Sequence, residues 1–186
     1  MAKILKGLKN LKIFPITKND GTAYTVGAAI PVPGIQSLSL DPDMSEWKIN
    51  ADDTVYESGS DWNGMKLQLQ LAELPLELKK HFEGGNWDET KKEYTYSSDS
   101  VAPEIGASFA AQTSDGNYRM LKIYTLRCTK VKVDYKTKGE GDKANPVQIE
   151  GVVTTRKKDS AAYREKDTTT AADLSWLDSL ADADTP

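Results

Sequence analysis

Between Met65 and Leu71 apolar and polar residues swap at every step, reading Met-Lys-Leu-Gln-Leu-Gln-Leu. Successive side chains of an extended strand point to opposite faces, so a period of two predicts a strand with one face buried and the other in water. The alternation recurs in Thr129 to Tyr135, where Val131, Val133 and Tyr135 fall on one face and Lys130, Lys132 and Asp134 on the other. Further strands are expected at Ile35 to Leu40, Trp47 to Ala51, Thr54 to Ser58, Tyr94 to Ser97, Ile105 to Thr113, Tyr118 to Leu126 and Val147 to Thr155, punctuated by Gly, Pro and Asp clusters. Asp115-Gly116 marks a tight hairpin turn. The Gly- and charge-rich stretch from Lys138 to Pro146 fits a longer loop joining two neighbouring antiparallel strands.

Helical spacing is confined to two places. Leu74, Leu78 and Phe82 recur four apart, Pro75 suits a first turn, and Gly84-Gly85 ends the pattern. Within Ala171 to Ala181, Leu174, Trp176 and Leu177 gather toward one side, and Asp173 stands in a first turn where the helix dipole favours an anion. About eight strands with two short helices predict a mainly β fold: an antiparallel meander forming a β-sandwich or partly rolled barrel, with one flanking helix and a long hairpin. At 186 residues the chain has the size of one domain. Residues 1–155 are expected to form the β-sandwich domain with its N-terminal arm. Residues 156–186 are expected to form an acidic C-terminal extension with a short helix, packed on that domain or on a neighbour.

Composition removes several kinds of chemistry. One histidine, His81, and one cysteine, Cys128, cannot build a zinc site of His and Cys ligands, an internal disulfide or most Cys–His nucleophile pairs. Cys128 lies in an expected strand and reads as a buried thiol. Carboxylates such as Asp52, Asp53 and Glu89 are scattered, and no catalytic, cofactor-binding or metal-binding residues are assigned. No apolar run approaches the ~18 residues that a membrane-spanning helix needs. The start, Met1 to Gly7, lacks the sustained apolar stretch of a signal peptide, so synthesis in a cytoplasm is expected.

Charge is distributed unevenly. Asp41 to Asp61 carries Asp41, Asp43, Glu46, Asp52, Asp53, Glu57 and Asp61 against Lys48 alone. Tyr118 to Lys138 is basic, and no basic residue follows Lys166.

The order of these elements resembles the major tail protein family of long-tailed bacteriophages, in its phi13-like branch. Gly7-Leu8-Lys9-Asn10-Leu11-Lys12 is similar to the opening strand of that family, and Ile30-Pro31-Val32-Pro33-Gly34-Ile35-Gln36-Ser37-Leu38-Ser39-Leu40 to its next element. Ala51-Asp52-Asp53-Thr54-Val55-Tyr56-Glu57 resembles an Ala-Asp-Asp segment within a long hairpin, and Leu71-Ala72-Glu73-Leu74-Pro75 a strand-to-helix junction closed by Gly84-Gly85. Tyr124-Thr125-Leu126-Arg127-Cys128-Thr129-Lys130 and the hairpin through Thr155 resemble the last strand pair. The resemblance covers most of Gly7 to Thr155, and Arg156 to Pro186 departs from it. It implies a β-sandwich subunit of the virion, assembled in the host cytoplasm into six-membered rings. Those rings stack into a tube that passes double-stranded DNA, and the tape measure and tail terminator proteins are its partners.

Within this reading the candidate contact residues between rings or along the lumen are Asp41, Asp43, Glu46, Trp47, Ile49, Asp52, Asp53, Val55, Glu57 and Asp61. Carboxylates lining a channel repel passing phosphates, while Trp47, Ile49 and Val55 call for a contact surface. An ordinary solvated hairpin is the plainer alternative. The basic run, with Tyr118, Tyr124 and Tyr135 interleaved, superficially resembles a surface for single-stranded nucleic acid, but strand alternation accounts for its lysines as a solvated face. The rival function is a carbohydrate-binding or adhesin-type β-sandwich, in which Trp47, Trp62, Trp87 and Trp176, set in loops and helix flanks, would stack on sugar rings.

Overall fold

The computed structural model describes residues 4–51, 54–135, 146–168 and 173–180. Its elements in chain order are β1 (Leu5–Asn19), β2 (Tyr24–Val26), β3 (Ile30–Pro31), β4 (Ile35–Ala51), β5 (Thr54–Leu71), α1 (Leu76–Glu83), β6 (Asn86–Asp88), β7 (Glu93–Thr95), β8 (Glu104–Thr113), β9 (Tyr118–Val133), β10 (Val147–Thr154) and β11 (Tyr163–Asp167). The period of two at 65–71 is realised, with Met65, Leu67, Leu69 and Leu71 buried and Lys66 and Gln68 exposed. The strands expected on either side of it prove to be pieces of longer ones. Ile35 to Leu40 and Trp47 to Ala51 merge into β4, and Thr54 to Ser58 runs on through Met65 to Leu71 as β5.

Among the described residues the fold is mostly antiparallel sheet with one α-helix, a β-sandwich-like arrangement rolled toward a barrel without closing. Strands are ordered β2-β1-β8-β9-β10-β5-β4, with β3 beside β1 and β11 beside β9, while β6 and β7 form a separate small ribbon. A simple meander therefore holds only for β8-β9-β10. The early β4–β5 hairpin joins the far side of β10, and β1 closes on β8. The sheet wraps one face around a core that includes Leu11, Ile13, Leu67, Leu71, Ile105, Phe109, Ile123, Leu126, Ile149 and Val153. Burying each large aliphatic or aromatic side chain contributes roughly 1.5–3 kcal/mol. Periodicity hides β1, because bulges with positive φ at Gly7 (59°) and Asn10 (56°) break the alternation twice.

Helix α1 starts later than the Leu74–Phe82 spacing predicts. Pro75 is its N-cap rather than part of its first turn, and Leu74, though buried, lies ahead of it. Leu78 and Phe82 face the core. Gly84 ends the helix in the left-handed region, its N–H donating to the Lys80 carbonyl at 3.1 Å. A Cβ at Gly84 would stand 1.9 Å from the Val101 carbonyl oxygen, so only glycine fits there.

In the described part of the second expected helix, residues 173–180, there is a single 3-10 turn, Ser175–Asp178, and Ala171, Ala172 and Ala181 lie outside the described residues. Asp173 does not act through a helix dipole; its carboxylate accepts from the backbone N–H and the hydroxyl of Ser175 in a local turn. The turn packs on the outer face of the sheet, where Leu177 and Leu180 are fully buried and the Ser108 hydroxyl donates to the Leu177 carbonyl at 2.8 Å. Lys122, read from alternation as solvated, is buried there with Nζ 4.1 Å from the Trp176 ring centre. Strand β8 is consequently covered on both faces. Tyr135, placed by alternation on the apolar face, lies past the end of β9 and is exposed.

A buried cation fixes the corner between β10 and β11. The Arg156 guanidinium lies 3.9 Å over the Tyr124 ring and donates twice to the Asp159 carboxylate, at 2.6 and 2.5 Å. Those hydrogen bonds are the main reason the Asp159 carboxyl is held down to about 2.

Two outcomes follow. Leu78→Asp should cost several kcal/mol by burying an unpaired charge, read as insoluble protein or a collapsed denaturation midpoint. A depressed carboxyl stabilises the fold above its unfolded pKa near 4 and ceases to do so as pH falls through about 2. The melting temperature of the wild type should therefore exceed that of Asp159→Asn at neutral pH, and the gap should close between about pH 4 and 2.

Candidate functional site

Of the expected contact residues, Glu46, Trp47, Ile49, Val55, Glu57 and Asp61 lie on the outer half of the β4–β5 hairpin. Strand β10 pairs with β5 only from Met65 to Leu71, so beyond the Asp43–Gly64 pair the hairpin leaves the sheet as a two-stranded ribbon. A bulge marks the departure, since Asp43 pairs with Gly64 but Met44 pairs with Trp62, leaving Asn63 unmatched. Gly64 has φ 125°, and a Cβ on it would stand 2.9 Å from the Val153 carbonyl oxygen. Glycine is therefore required where the ribbon starts, on both conformational and steric grounds.

From the Met44–Trp62 pair to the Ile49–Glu57 pair the register is unbroken, and paired residues share a face. One face carries Ser45, Trp47, Ile49, Glu57, Gly59 and Asp61. The Trp47 ring lies across Gly59, where an added Cβ would come within 2.6 Å of it. The other face carries Met44, Glu46, Lys48, Ser58, Ser60 and Trp62. Among the described residues nothing covers either face: Met44, Trp47, Ile49, Val55, Tyr56 and Trp62 are all exposed, Val55 to 58% and Tyr56 to 76%.

Acidic and apolar groups are thus interleaved. Glu57 and Asp61 share the Trp47 and Ile49 face, and Glu46 sits beside Met44 and Trp62. Asp41 and Asp43 stay at the base, opposite or beside Lys66, whose Nζ is 3.3 Å from Asp43. Asp52 and Asp53 lie outside the described residues. Sequence reasoning passed over Met44 and Tyr56 as contact residues and placed Trp62 only among possible sugar-stacking tryptophans. Their signal was present as apolar residues at strand spacing on both sides of the hairpin tip.

The remaining candidates resolve differently. Arg119 pairs with Asp167 at 2.8 Å, Arg127 with Glu104 at 3.1 Å, Lys132 with Asp134 at 3.3 Å and Lys130 with Glu150 at 3.6 Å. Among the described residues the basic run is therefore largely paired to nearby acids, which leaves little field for phosphates there, while Lys136 and Lys138 lie outside the described residues. Trp47 and Trp62 stand within strands, on opposite faces of the ribbon. Trp87 is half-buried in β6, and Trp176 packs under Lys122. The four do not share a platform. Cys128 is buried, and burial pushes its thiol up to about 12. Among the described residues no group of three or more His, Cys, Asp or Glu is placed to hold a metal ion, and no helix is long and apolar enough to cross a membrane.

No protein-family model matches the chain, and no curated protein matches it. Among solved structures it is similar to the tube-terminating cap of the anti-feeding prophage, with a TM-score of 0.42 and 6% identity over 86% of this chain and 89% of that one. A likeness at that distance carries no argument about what this chain does.

Gly64→Ala should strain the backbone and crowd the Val153 carbonyl, lowering stability by about 1–3 kcal/mol in a denaturant titration. Gly59→Ala meets only the movable Trp47 ring and should cost much less.

Proposed function

We propose that the chain is a structural subunit of a phage tail tube, one that assembles with its own copies into six-membered rings stacked around a channel for double-stranded DNA. The observation that carries this reading is the ribbon, which holds six large apolar side chains in water on two uncovered faces. Two-stranded ribbons are marginal by themselves, and exposed apolar surface of this kind marks a contact awaiting a partner. The ordered motifs from Gly7 to Thr155 that resemble major tail proteins supply the identity of that partner as further copies of the chain. Tape measure and tail terminator proteins would meet the tube inside and at its end. Its role would be mechanical, in the virion, with no enzymatic step.

The acids fit the same position. Glu46, Glu57 and Asp61, with Asp52 and Asp53 at the tip by sequence, give the ribbon a strong negative charge that would keep DNA phosphates from sticking to a channel wall. A sugar-binding module needs an aromatic platform, and Trp47 and Trp62 face opposite ways.

Negative-stain microscopy of the purified protein should show annuli or tubes, and a glycan array should show no retention. Monomers that bind a glycan would replace this reading with the carbohydrate one. Replacing Trp47, Ile49 and Val55 with serine should leave a folded subunit, because all three are already in water, yet abolish polymerisation. Changing Glu46, Glu57 and Asp61 to asparagine should preserve tubes and raise their salt-dependent retention of DNA. Normal tubes from the triple serine variant would sink the contact role of the ribbon.

A further inference from the structure

Asn63 is the only asparagine in the sequence that a glycine follows. The pair falls where the long hairpin is least supported. The ladder with β10 ends at Met65, and the β4 register passes from Asp43–Gly64 to Met44–Trp62, so Asn63 stands opposite no residue of either neighbouring strand. Its side chain is exposed, and its Nδ2 donates to the Ser45 hydroxyl. Gly64 cannot give way to a larger residue, because its φ is 125° and a Cβ would stand 2.9 Å from the Val153 carbonyl oxygen. The fold therefore keeps an exposed carboxamide beside the amide nitrogen of a residue with no side chain to shield it.

An asparagine in that position is open to attack by its own backbone. The Gly64 amide nitrogen, once deprotonated, adds to Cγ of Asn63. The Cγ–Nδ2 bond breaks, Nδ2 takes up a proton and leaves as ammonia, and a cyclic succinimide remains. Water then opens the ring at either carbonyl, giving aspartate or isoaspartate with no other co-reactant. Paired strands suppress this reaction, because the backbone must turn toward the side chain to reach an attacking geometry. The bulge removes that restraint at position 63. Asp20-Gly21 and Asp115-Gly116 are different, since their carboxylates are poor electrophiles and are tied into turns, Asp20 by the N–H groups of Thr22 and Ala23, Asp115 by the Thr113 hydroxyl and the Asn117 N–H.

We propose that Asn63 is a modification site that converts spontaneously in water to aspartate and isoaspartate, so that the root of the ribbon gains a negative charge with age. The surroundings accept the product. The Ser45 hydroxyl, which accepts from the amide, turns round to donate to the carboxylate. Isoaspartate inserts one more methylene into the backbone, but it does so where the register already slips, and the ladders on either side keep their pairing. None of this depends on self-assembly.

Ageing the full-length protein at mildly alkaline pH tests it, with one sample folded in buffer and a second in urea, both then cut with trypsin. Residues 49–66 emerge as one peptide, in which Asn50, followed by alanine, serves as an internal control. The expected result is a gain of about 1 Da at position 63 and none at 50, at a rate in the folded protein within about tenfold of that in urea. The rate should rise with pH, since the Gly64 amide must first lose its proton, and a protein isoaspartyl methyltransferase should label the product. Asn63→Gln, a change at an exposed side chain, should abolish the acidic species that ion exchange resolves from the aged wild type, because ring closure through the longer side chain is far slower. A folded protein that keeps Asn63 while the urea sample converts would overturn the proposal, since the ladder would then protect the pair. Conversion that favours Asn50, ignores pH or occurs in neither sample overturns it equally.

Discussion

The antiparallel ladder between β5 and β10 stops at Met65, and the character of the molecule turns on that stop. On one side of it β5 is flanked by two strands and contributes Leu67, Leu69 and Leu71 to the core. On the other side the same strand keeps only β4, and its side chains face water on both sides. Gly64 marks the line, because the chain there comes so close to the Val153 carbonyl that no side chain fits. A single hydrogen-bonded strand thus serves as core in one half and as exposed surface in the other. The chain continues the extended backbone without continuing the burial.

A second constraint is the two-sided burial of β8. Its inner face packs on the rolled core through Ile105, Ala107 and Phe109, and its outer face lies under Leu177 and Leu180. Small residues make this possible. At Gly106 even a Cβ would collide with Leu180, and Ser108 satisfies its hydroxyl with the Leu177 carbonyl. The segment bearing Leu177 and Leu180 acts as a second layer that lets a curled single sheet bury both sides of its centre.

Much of this was legible where one physical signal dominated. The alternation at 65–71 and the Gly84 stop of α1 are local, and local chemistry decides them. The strands of the hairpin could be read in pieces, but their fusion into strands of 17 and 18 residues could not. Asp41-Pro42-Asp43 and Ser58-Gly59-Ser60 look like breaks in a sequence, yet a long cross-strand ladder carries the backbone through them. The bulges in β1 and the short, wholly exposed β11 leave no periodic trace. The turn at Ser175–Asp178 was misread as a helix because Leu174, Trp176 and Leu177 are spaced for one, whereas packing on β8 and β9 holds them in a single turn. For the candidate site, sequence placed the acids and three of the apolar residues on one hairpin. Only the register showed that they share faces instead of dividing them.

Since β4 and β5 run without interruption from the core into the ribbon, the sheet at its root sets the direction in which the arm leaves the body. From Asp43 to Ala51 the arm extends roughly 26 Å at about 3.3 Å per residue. Any change in the curl or twist of the sheet at its root is multiplied along that length, so a rotation of about 10° sweeps the far end through about 5 Å. The curl of the sheet and the heading of the arm are thereby linked through one pair of strands.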